Sequence, residues 1–357
     1  MKRAALILTI ITCAVSLCAQ QSLLSDELVS ILEAPRYLRV MFYNCENFFD
    51  VDNDPVTNDD EFTPDGEKHW NKYRFYDKRD KISKVIVTVG GWNPPDIVGL
   101  CEIESRKVME SLTYNSGLRH AGYRFLHKES PDARGIDVAL LYKPTHYKPF
   151  NVEFIPVKVL KNGRGTRDIL LASGLTVHGD TLHIFVNHWP SRWGGQVESD
   201  GLRRAVAGVV RQKVDSLINI NPRSNILIMG DLNDYPDNNS VCIDLRAHTR
   251  FNAIEQSELY NLAYYMQFVK GWGTHKYNGQ WGILDQMIIS GALLDGQNVI
   301  YTSKDDIHVF NPDFLLERDE ANVGYKPFRT YLGYQYIGGF RDHLPGFINI
   351  YRKENDD

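Results

Sequence analysis

The stretch Asn225–Pro236, N-I-L-I-M-G-D-L-N-D-Y-P, constrains the fold more than any other part of the sequence. Its first five residues are almost wholly apolar and do not alternate with polar ones, which predicts a strand buried on both faces. Gly230 is expected to let the backbone turn. Asp231 and Asn233 then follow at spacing i, i+2, so in extended geometry both would point to the same side. A carboxylate and an amide at the end of a buried strand suit a hard divalent cation or a phosphoester. The same residue types also make ordinary turns, so the stretch takes its meaning from the rest of the chain.

Other apolar runs also end in polar residues. Tyr37–Tyr43 reads as a strand that delivers Asn44. Asp96–Cys101 is a second, ending at Glu102, and Thr181–Val186 is a third, ending at Asn187-His188-Trp189-Pro190-Ser191-Arg192. Leu284–Ser290 carries Asp285 near its start, and Arg341-Asp342-His343 leads into a closing strand, Phe347–Tyr351. Further strands are expected near 123–127, 137–142, 152–157 and 169–177. Helices are expected over 68–88, where Ile82, Val85, Ile86 and Val89 share a stripe, from Arg106 to about Ala121, over Leu202–Ile218 and near Leu259–Val269. Asp50–Asp65 is acidic and reads as a solvated surface loop in preference to a calcium loop. Asp305–Tyr336 is long, aromatic and irregular, which suggests a functional loop. Loops at the ends of sandwiched strands are where such polar residues can gather into a site.

The first residues stand apart. Lys2 and Arg3 precede the apolar run Ala4–Leu17, closed by Cys18-Ala19-Gln20. This reads as a secretory signal over residues 1–19, too short to favour a membrane span. Residues 20–36 would be a tether and 37–353 a single domain, since no repeat, low-complexity linker or internal boundary interrupts them. Cys18 raises a lipoprotein, but Leu17 is bulkier than the residue such processing wants. Export to the periplasm or the exterior is therefore expected, with no integral membrane contact. Removing 1–19 moves the formal charge from 40 − 45 = −5 to 38 − 45 = −7, which argues against a strongly basic nucleic-acid groove. Local basic clusters remain: Arg164, Arg167, Arg192, Arg203 and Arg204 beside His188, and Lys326, Arg329 and Arg341 before His343. The three cysteines left, Cys45, Cys101 and Cys242, make no disulfide framework, and no Cys/His cluster has zinc spacing.

Read in order, Y-N-C-E-N-F-F-D, L-C-E-I-E, R-G-I-D-V-A-L-L-Y, N-H-W-P-S-R, G-D-L-N-D and R-D-H-L-P resemble the endonuclease/exonuclease/phosphatase superfamily, from about Arg39 to Arg352. The resemblance implies an α/β (α+β) domain of the deoxyribonuclease I-like kind: two mixed β-sheets packed face to face and flanked by helices, a four-layer sandwich. It also implies a phosphoesterase dependent on Mg²⁺ (or Mn²⁺). Asn44 and Glu102 match the metal-site residues, and Asp342 a further metal or water ligand. Asp231 and Asn233 match the pair that handles the attacking water and the phosphate. His343 matches the catalytic histidine, Asp285 the acid that orients it, and His188 a second histidine of the deoxyribonuclease branch. Asn187, Arg192 and Arg341 are expected to contact substrate.

Three departures bear on the substrate. Arg341 stands where serine is usual, Cys101 precedes Glu102 where glutamine is frequent, and Gln286 follows Asp285 where a basic residue or histidine is common. An Asp285-held histidine would be a stronger base or a stable imidazolium, and the sequence leaves both open. Nucleic acid is the first expected substrate, with Tyr325, Phe328 or Tyr331 stacking on bases. The alternative is a small phosphoester such as an inositol phosphate or a sphingomyelin-like headgroup, because G-T-H-K-Y-N-G-Q-W-G-I-L-D-Q loosely resembles the phosphatase branch. A non-catalytic binding protein is the third reading. No stable protein partner is implied.

Overall fold

A computed structural model describes residues 35–91, 93–158 and 165–354. The signal segment, nearly all of the tether and Arg164 lie outside the described residues. In chain order the elements are β1 (Tyr37–Phe48), α1 (Lys72–Gly90), β2 (Ile97–Ile103), α2 (Arg106–Asn115), β3 (Arg124–His127), β4 (Asp137–Tyr142), β5 (Tyr147–Ile155), β6 (Ile169–Thr176) and β7 (Thr181–His188). Then come α3 (Gln196–Ile220), β8 (Asn225–Asp231), β9 (Ala247–His248), β10 (Leu259–Asn261), α4 (Leu262–Phe268), β11 (His275–Tyr277), β12 (Gln280–Gly282) and β13 (Asp285–Ser290). The last are β14 (Ile300–Tyr301), β15 (Ile307–Val309), β16 (Leu316–Arg318), β17 (Tyr325–Pro327), β18 (Tyr331–Leu332), β19 (Gln335–Tyr336) and β20 (Gly346–Arg352).

Two mixed sheets carry the fold. The first runs β14-β20-β1-β2-β4-β3, with β15 also on β20; the second runs β5-β6-β7-β8-β13-β10-β9. The expectation that β8 is buried on both faces holds at every residue. Leu227 and Met229 join Ile184, Val186 and Met287 in the core between the sheets. Ile226 and Ile228 face the other way, onto Val206, Ala207, Val210 and Val214 of α3. The period of two in a strand thus splits one apolar run between two cores. The sheets approach closely at Gly99, where an added Cβ would stand 2.6 Å from Met229 Cε. Helices α1 and α2 add Ile82, Val85, Ile86, Val108, Met109 and Leu112 to the same continuous buried cluster. Among the described residues no helix is long and apolar enough to cross a membrane.

Several expected elements change their bounds. Gly230 does not turn the chain: it stays in β8, paired with Gln286 and Asn187. A side chain there would stand 2.7 Å from Asn187 Cβ, so the glycine serves the close approach of β7. The helix expected over 106–121 ends at Asn115. Ser116 Oγ accepts from Leu118 N at 3.1 Å and starts a short 3₁₀ turn instead. The helix expected from Leu259 begins at Leu262, because Leu259–Asn261 pair with Ile288–Ser290 and Asn261 then caps Ala263 N at 3.0 Å. The segment 305–336 is more regular than expected and holds the hairpins β16–β17 and β18–β19.

Candidate active site

Three neighbouring strands of the second sheet place their functional residues in one row. His188 of β7 is in register with Asp231 of β8, and Asp231 with Asp285 of β13. From the first sheet, Asn44 of β1 pairs with Cys101 of β2, which puts Glu102 one step beyond. The two sheets meet here. Asn44 Nδ2 donates to Asp231 Oδ2 at 3.1 Å and to Glu102 Oε1 at 3.4 Å. His188 Nε2 lies 3.7 Å from Glu102 Oε1 and 3.9 Å from Asp231 Oδ2. His343 arrives on the segment before β20, with Nδ1 at 2.7 Å from Asp285 Oδ2 and 3.9 Å from Asp231 Oδ2.

The backbone around these residues is left-handed at four non-glycine positions: Glu46 (φ 49°), Asn47 (φ 55°), Glu102 (φ 60°) and Asn233 (φ 51°). Asn47 N donates to Glu102 Oε2 at 2.7 Å, and Asn233 N to Asp231 Oδ1 at 2.9 Å. The left-handed turn at Asn233 breaks the extended geometry that would have set its amide beside Asp231. Asn233 Nδ2 donates instead to Trp189 O at 3.0 Å.

Burial sets the charge states. Asp231 is pushed up to about 6 by desolvation and by the Asp285 and Glu102 carboxylates, against the opposing pull of His343. Burial works against a charged His343, but Asp285, Asp231 and Asp342 outweigh it and lift the ring to about 10. Asp285 is held ionised against its own burial by His343 and Arg341. His188 is driven well below the usual histidine range, by desolvation first and then by Arg167 and Arg134. The row therefore combines a cationic His343 with a neutral His188 at pH 7.

Four expected site residues take other places. Arg341 is 1% exposed, its guanidinium carbon 4.4 Å from the Tyr43 ring centroid, and none of its nitrogens has a hydrogen-bond partner. In this buried position its positive charge acts on Asp285. Asn187 is fully buried, accepting from Trp189 Nε1 at 3.2 Å, and so braces the strand end. Arg192 is committed to Asn233 O at 2.7 Å and Asn238 Oδ1 at 3.0 Å, which fixes the turn after β8. Asp342 is paired with Arg329 Nη2 at 2.7 Å. It gathers with His275 and His343 in a group whose ligand atoms lie close enough to hold a metal ion. Of the basic cluster beside His188, Arg167 and Arg203 are buried, on Asp132 and Asp234, whereas Arg204 is exposed.

Sequence reasoning missed His275 as a site residue, while Arg329, grouped with Lys326 and Arg341 as a basic cluster before His343, lies beside Asp342. His275 bridges His343 from β11, with ring centroids 4.7 Å apart, and is pushed down to about 4 by burial and by His343. Its only signal was its place shortly before the Asp285 strand.

The donor set fits a divalent cation. Among the described residues, two groups bring acid or histidine ligand atoms within 4.8 Å of one another: Asp231–Asp285–His343 and His275–Asp342–His343. Asp285 already holds His343, so the first group is a hydrogen-bonded relay. Glu102 and Asp231 both accept from Asn44 Nδ2, while Asn44 Oδ1 accepts from Glu46 N at 2.9 Å, so the hard oxygen donors here are the two carboxylates, and Asp231 is pushed up by burial first and then by the carboxylates that crowd it. A hard cation would relieve that crowding.

A model of the endonuclease/exonuclease/phosphatase family matches residues 39–352. No curated protein matches the sequence. Among solved structures, D. rerio TDP2 complexed with a single-strand DNA product is similar at TM-score 0.54 and 13% identity, over 88% of this chain and 99% of that one. The human Nocturnin catalytic domain with bound sulfate anion is similar at 0.53 and 15%, over 89% and 95%. An endonuclease/exonuclease/phosphatase from Bacteroides vulgatus is similar at 0.53 and 10%, over 89% and 100%. At these identities the likeness is one of fold.

Proposed function

Because this chain belongs to the endonuclease/exonuclease/phosphatase family and is a phosphoester hydrolase, we propose that it is an exported phosphodiesterase dependent on Mg²⁺ (or Mn²⁺) that cleaves nucleic acid. The observation that carries this reading is the row His188–Asp231–Asp285, with His343 clamped on Asp285 and Glu102–Asn44 facing it from the other sheet. Glu102, with the Asp231 carboxylate beside it, would hold the ion, which would supply neutralisation of the phosphate charge, and Asn44 Nδ2 links the two acids. Asp231, fully buried between His343 and Asn44, is placed to orient an attacking water and take its proton. Its Oδ1 is fixed by Asn233 N, and Asn233 is fixed in turn by Trp189 and Arg192. The close Asp285 contact and the acids around His343 favour an imidazolium facing the developing charge. Neutral His188 faces Glu102 and Asp231 and can donate or accept a hydrogen bond without adding charge.

The nucleic-acid reading takes support from the TDP2 relative bound to single-strand DNA. Export takes support from Lys2, Arg3 and the apolar run after them. The test is a substrate panel at fixed Mg²⁺, with and without EDTA: plasmid, single-stranded DNA, RNA, inositol phosphates and sphingomyelin. Hydrolysis of nucleic acid that stops in EDTA is expected, and Glu102→Gln should raise the metal concentration needed for half activity. Full activity in EDTA would remove the mechanism. Turnover of inositol or lipid substrates alone would replace the substrate.

A further inference from the structure

A recess of about 360 Å³ opens beside Glu102 and Asp342 and runs past Arg329 and Thr330 to Tyr331 and Gly333. Its charges do not cancel locally. Asp342 is paired with Arg329 at 2.7 Å, and buried Glu46 with Lys78 at 3.7 Å. Glu102 turns its two oxygens to Asn44 and Asn47 N. Two further cations line the recess without an acid of their own. Lys68 enters no ion pair among the described residues; its Nζ donates to Gly333 O at 2.7 Å and lies 5.0 Å from the ring centroids of Tyr331 and Tyr334. The acid oxygen beside Arg134 is Asp132 Oδ1 at 3.9 Å, and Asp132 is already held by Arg167 at 3.0 Å. Arg329 Nε is buried without a hydrogen bond and lies 3.9 Å from Glu46 Oε1. The recess lining thus balances Glu46, Glu102 and Asp342 against Lys68, Arg134 and Arg329, but Lys68 and Arg134 lack a close acid partner of their own next to the reaction centre, and such cations can bind phosphate.

The far end is walled. Hairpin β18–β19 is stitched to the segment before α1 by Tyr331 Oη donating to Lys68 O at 2.9 Å and by the Lys68–Gly333 bond. It is stitched to α1 itself by Tyr336 Oη donating to Asp77 Oδ2 at 2.7 Å. A polymer cannot run on past Gly333 without opening these contacts.

We infer that this recess seats a second phosphate of the substrate, next to the one that is cleaved, and that its wall confines cleavage to phosphoester bonds at or beside the end of a molecule. The inference rests on the phosphoesterase reading above and narrows its substrate class. Two sources carry this chemistry, a nucleic-acid terminus and a small polyphosphorylated molecule, and the arms of the test separate them.

Steady-state kinetics would compare a dinucleotide with and without a terminal phosphate, a linear oligonucleotide with its covalently closed circle, and inositol bisphosphate with monophosphate. The second phosphate should lower KM by roughly tenfold, the scale of one lost charge-assisted contact, with little change in kcat. The circle should resist cleavage. Arg134→Ala and Lys68→Ala should each erase the advantage of the second phosphate. Arg134→Ala makes no stitch to the hairpin, so its result stands if Lys68→Ala loosens the fold. Calorimetry with pyrophosphate in EDTA reads the recess without turnover, and both variants should bind it several-fold more weakly. Equal pyrophosphate binding by wild type and Arg134→Ala, or equal rates on circle and line, overturns the inference. Weakened pyrophosphate binding in the variants, with no hydrolysis of any phosphoester, would instead sink the phosphoesterase reading and keep the site.

Discussion

Replacing Asp285 by Asn tests whether His343 works as a held imidazolium. The 2.7 Å contact joins two fully buried groups of opposite charge, a charge-assisted hydrogen bond worth ~1.5–3 kcal/mol. If that energy is expressed in the transition state, kcat falls by roughly tenfold to a hundredfold, at 1.36 kcal/mol per factor of ten. The sign of the pH effect follows from the same contact. His343 is lifted to about 10 by its carboxylates in spite of burial, so wild-type activity should persist to high pH and fall as the ring loses its proton. Without Asp285 burial of the ring weighs more heavily against its charge, and the alkaline limb of kcat should move toward neutral pH. Folding stability carries the same signature. The raised histidine contributes fully below the ordinary value of ~6.5 and loses its contribution as pH climbs through about 10, so the variant's stability should be flatter across that window. Hydrolysis of bis(p-nitrophenyl) phosphate from pH 5 to 11 measures the first effect, and urea melts at the same pH values the second. On a His343→Ala background, Asp285→Asn should add little, since the two act as a unit. An unmoved alkaline limb, or losses that simply add in the double variant, would refute the reasoning.

Gly230→Ala should destabilise the fold by ~1–3 kcal/mol, the usual range for overpacking a buried site, because its methyl would stand 2.7 Å from Asn187 Cβ; an unchanged denaturation midpoint would contradict the close β7–β8 approach. N-terminal sequencing of the mature protein should begin near Gln20 or Gln21, and recovery of intact Met1 would exclude processing.

The sheets were legible because their strands are apolar runs whose period-two faces both need burial, as in β8, and because polar residues such as Asn44, Glu102, His188 and Asp231 sit where those runs stop. What the sequence could not express was the direction in which long cations point. Arg167, Arg203 and Arg341 look like surface charges in a string of letters, yet all three are buried. Their partners or stacked ring lie far away in sequence, at Asp132, Asp234 and Tyr43. Likewise His275 comes from a three-residue strand with no apolar run to announce it, and meets His343 only across an isolated bridge. Asn233 was misdirected because a spacing of two implies a shared face only while the backbone stays extended, and here it turns left-handed.

The four left-handed residues Glu46, Asn47, Glu102 and Asn233 carry a consequence for how such a protein can be improved. Each occupies a conformation that non-glycine residues adopt at a cost of order 1–3 kcal/mol, and glycine would adopt it freely. Selection for heat resistance alone would therefore be drawn to these positions, where relaxation is most readily available. Yet Asn47 N and Asn233 N are the groups that aim Glu102 and Asp231. A screen that rewarded survival without turnover would collect variants with a calmer backbone and slack carboxylates, so any thermostabilisation campaign on this scaffold needs activity measured alongside melting from its first round.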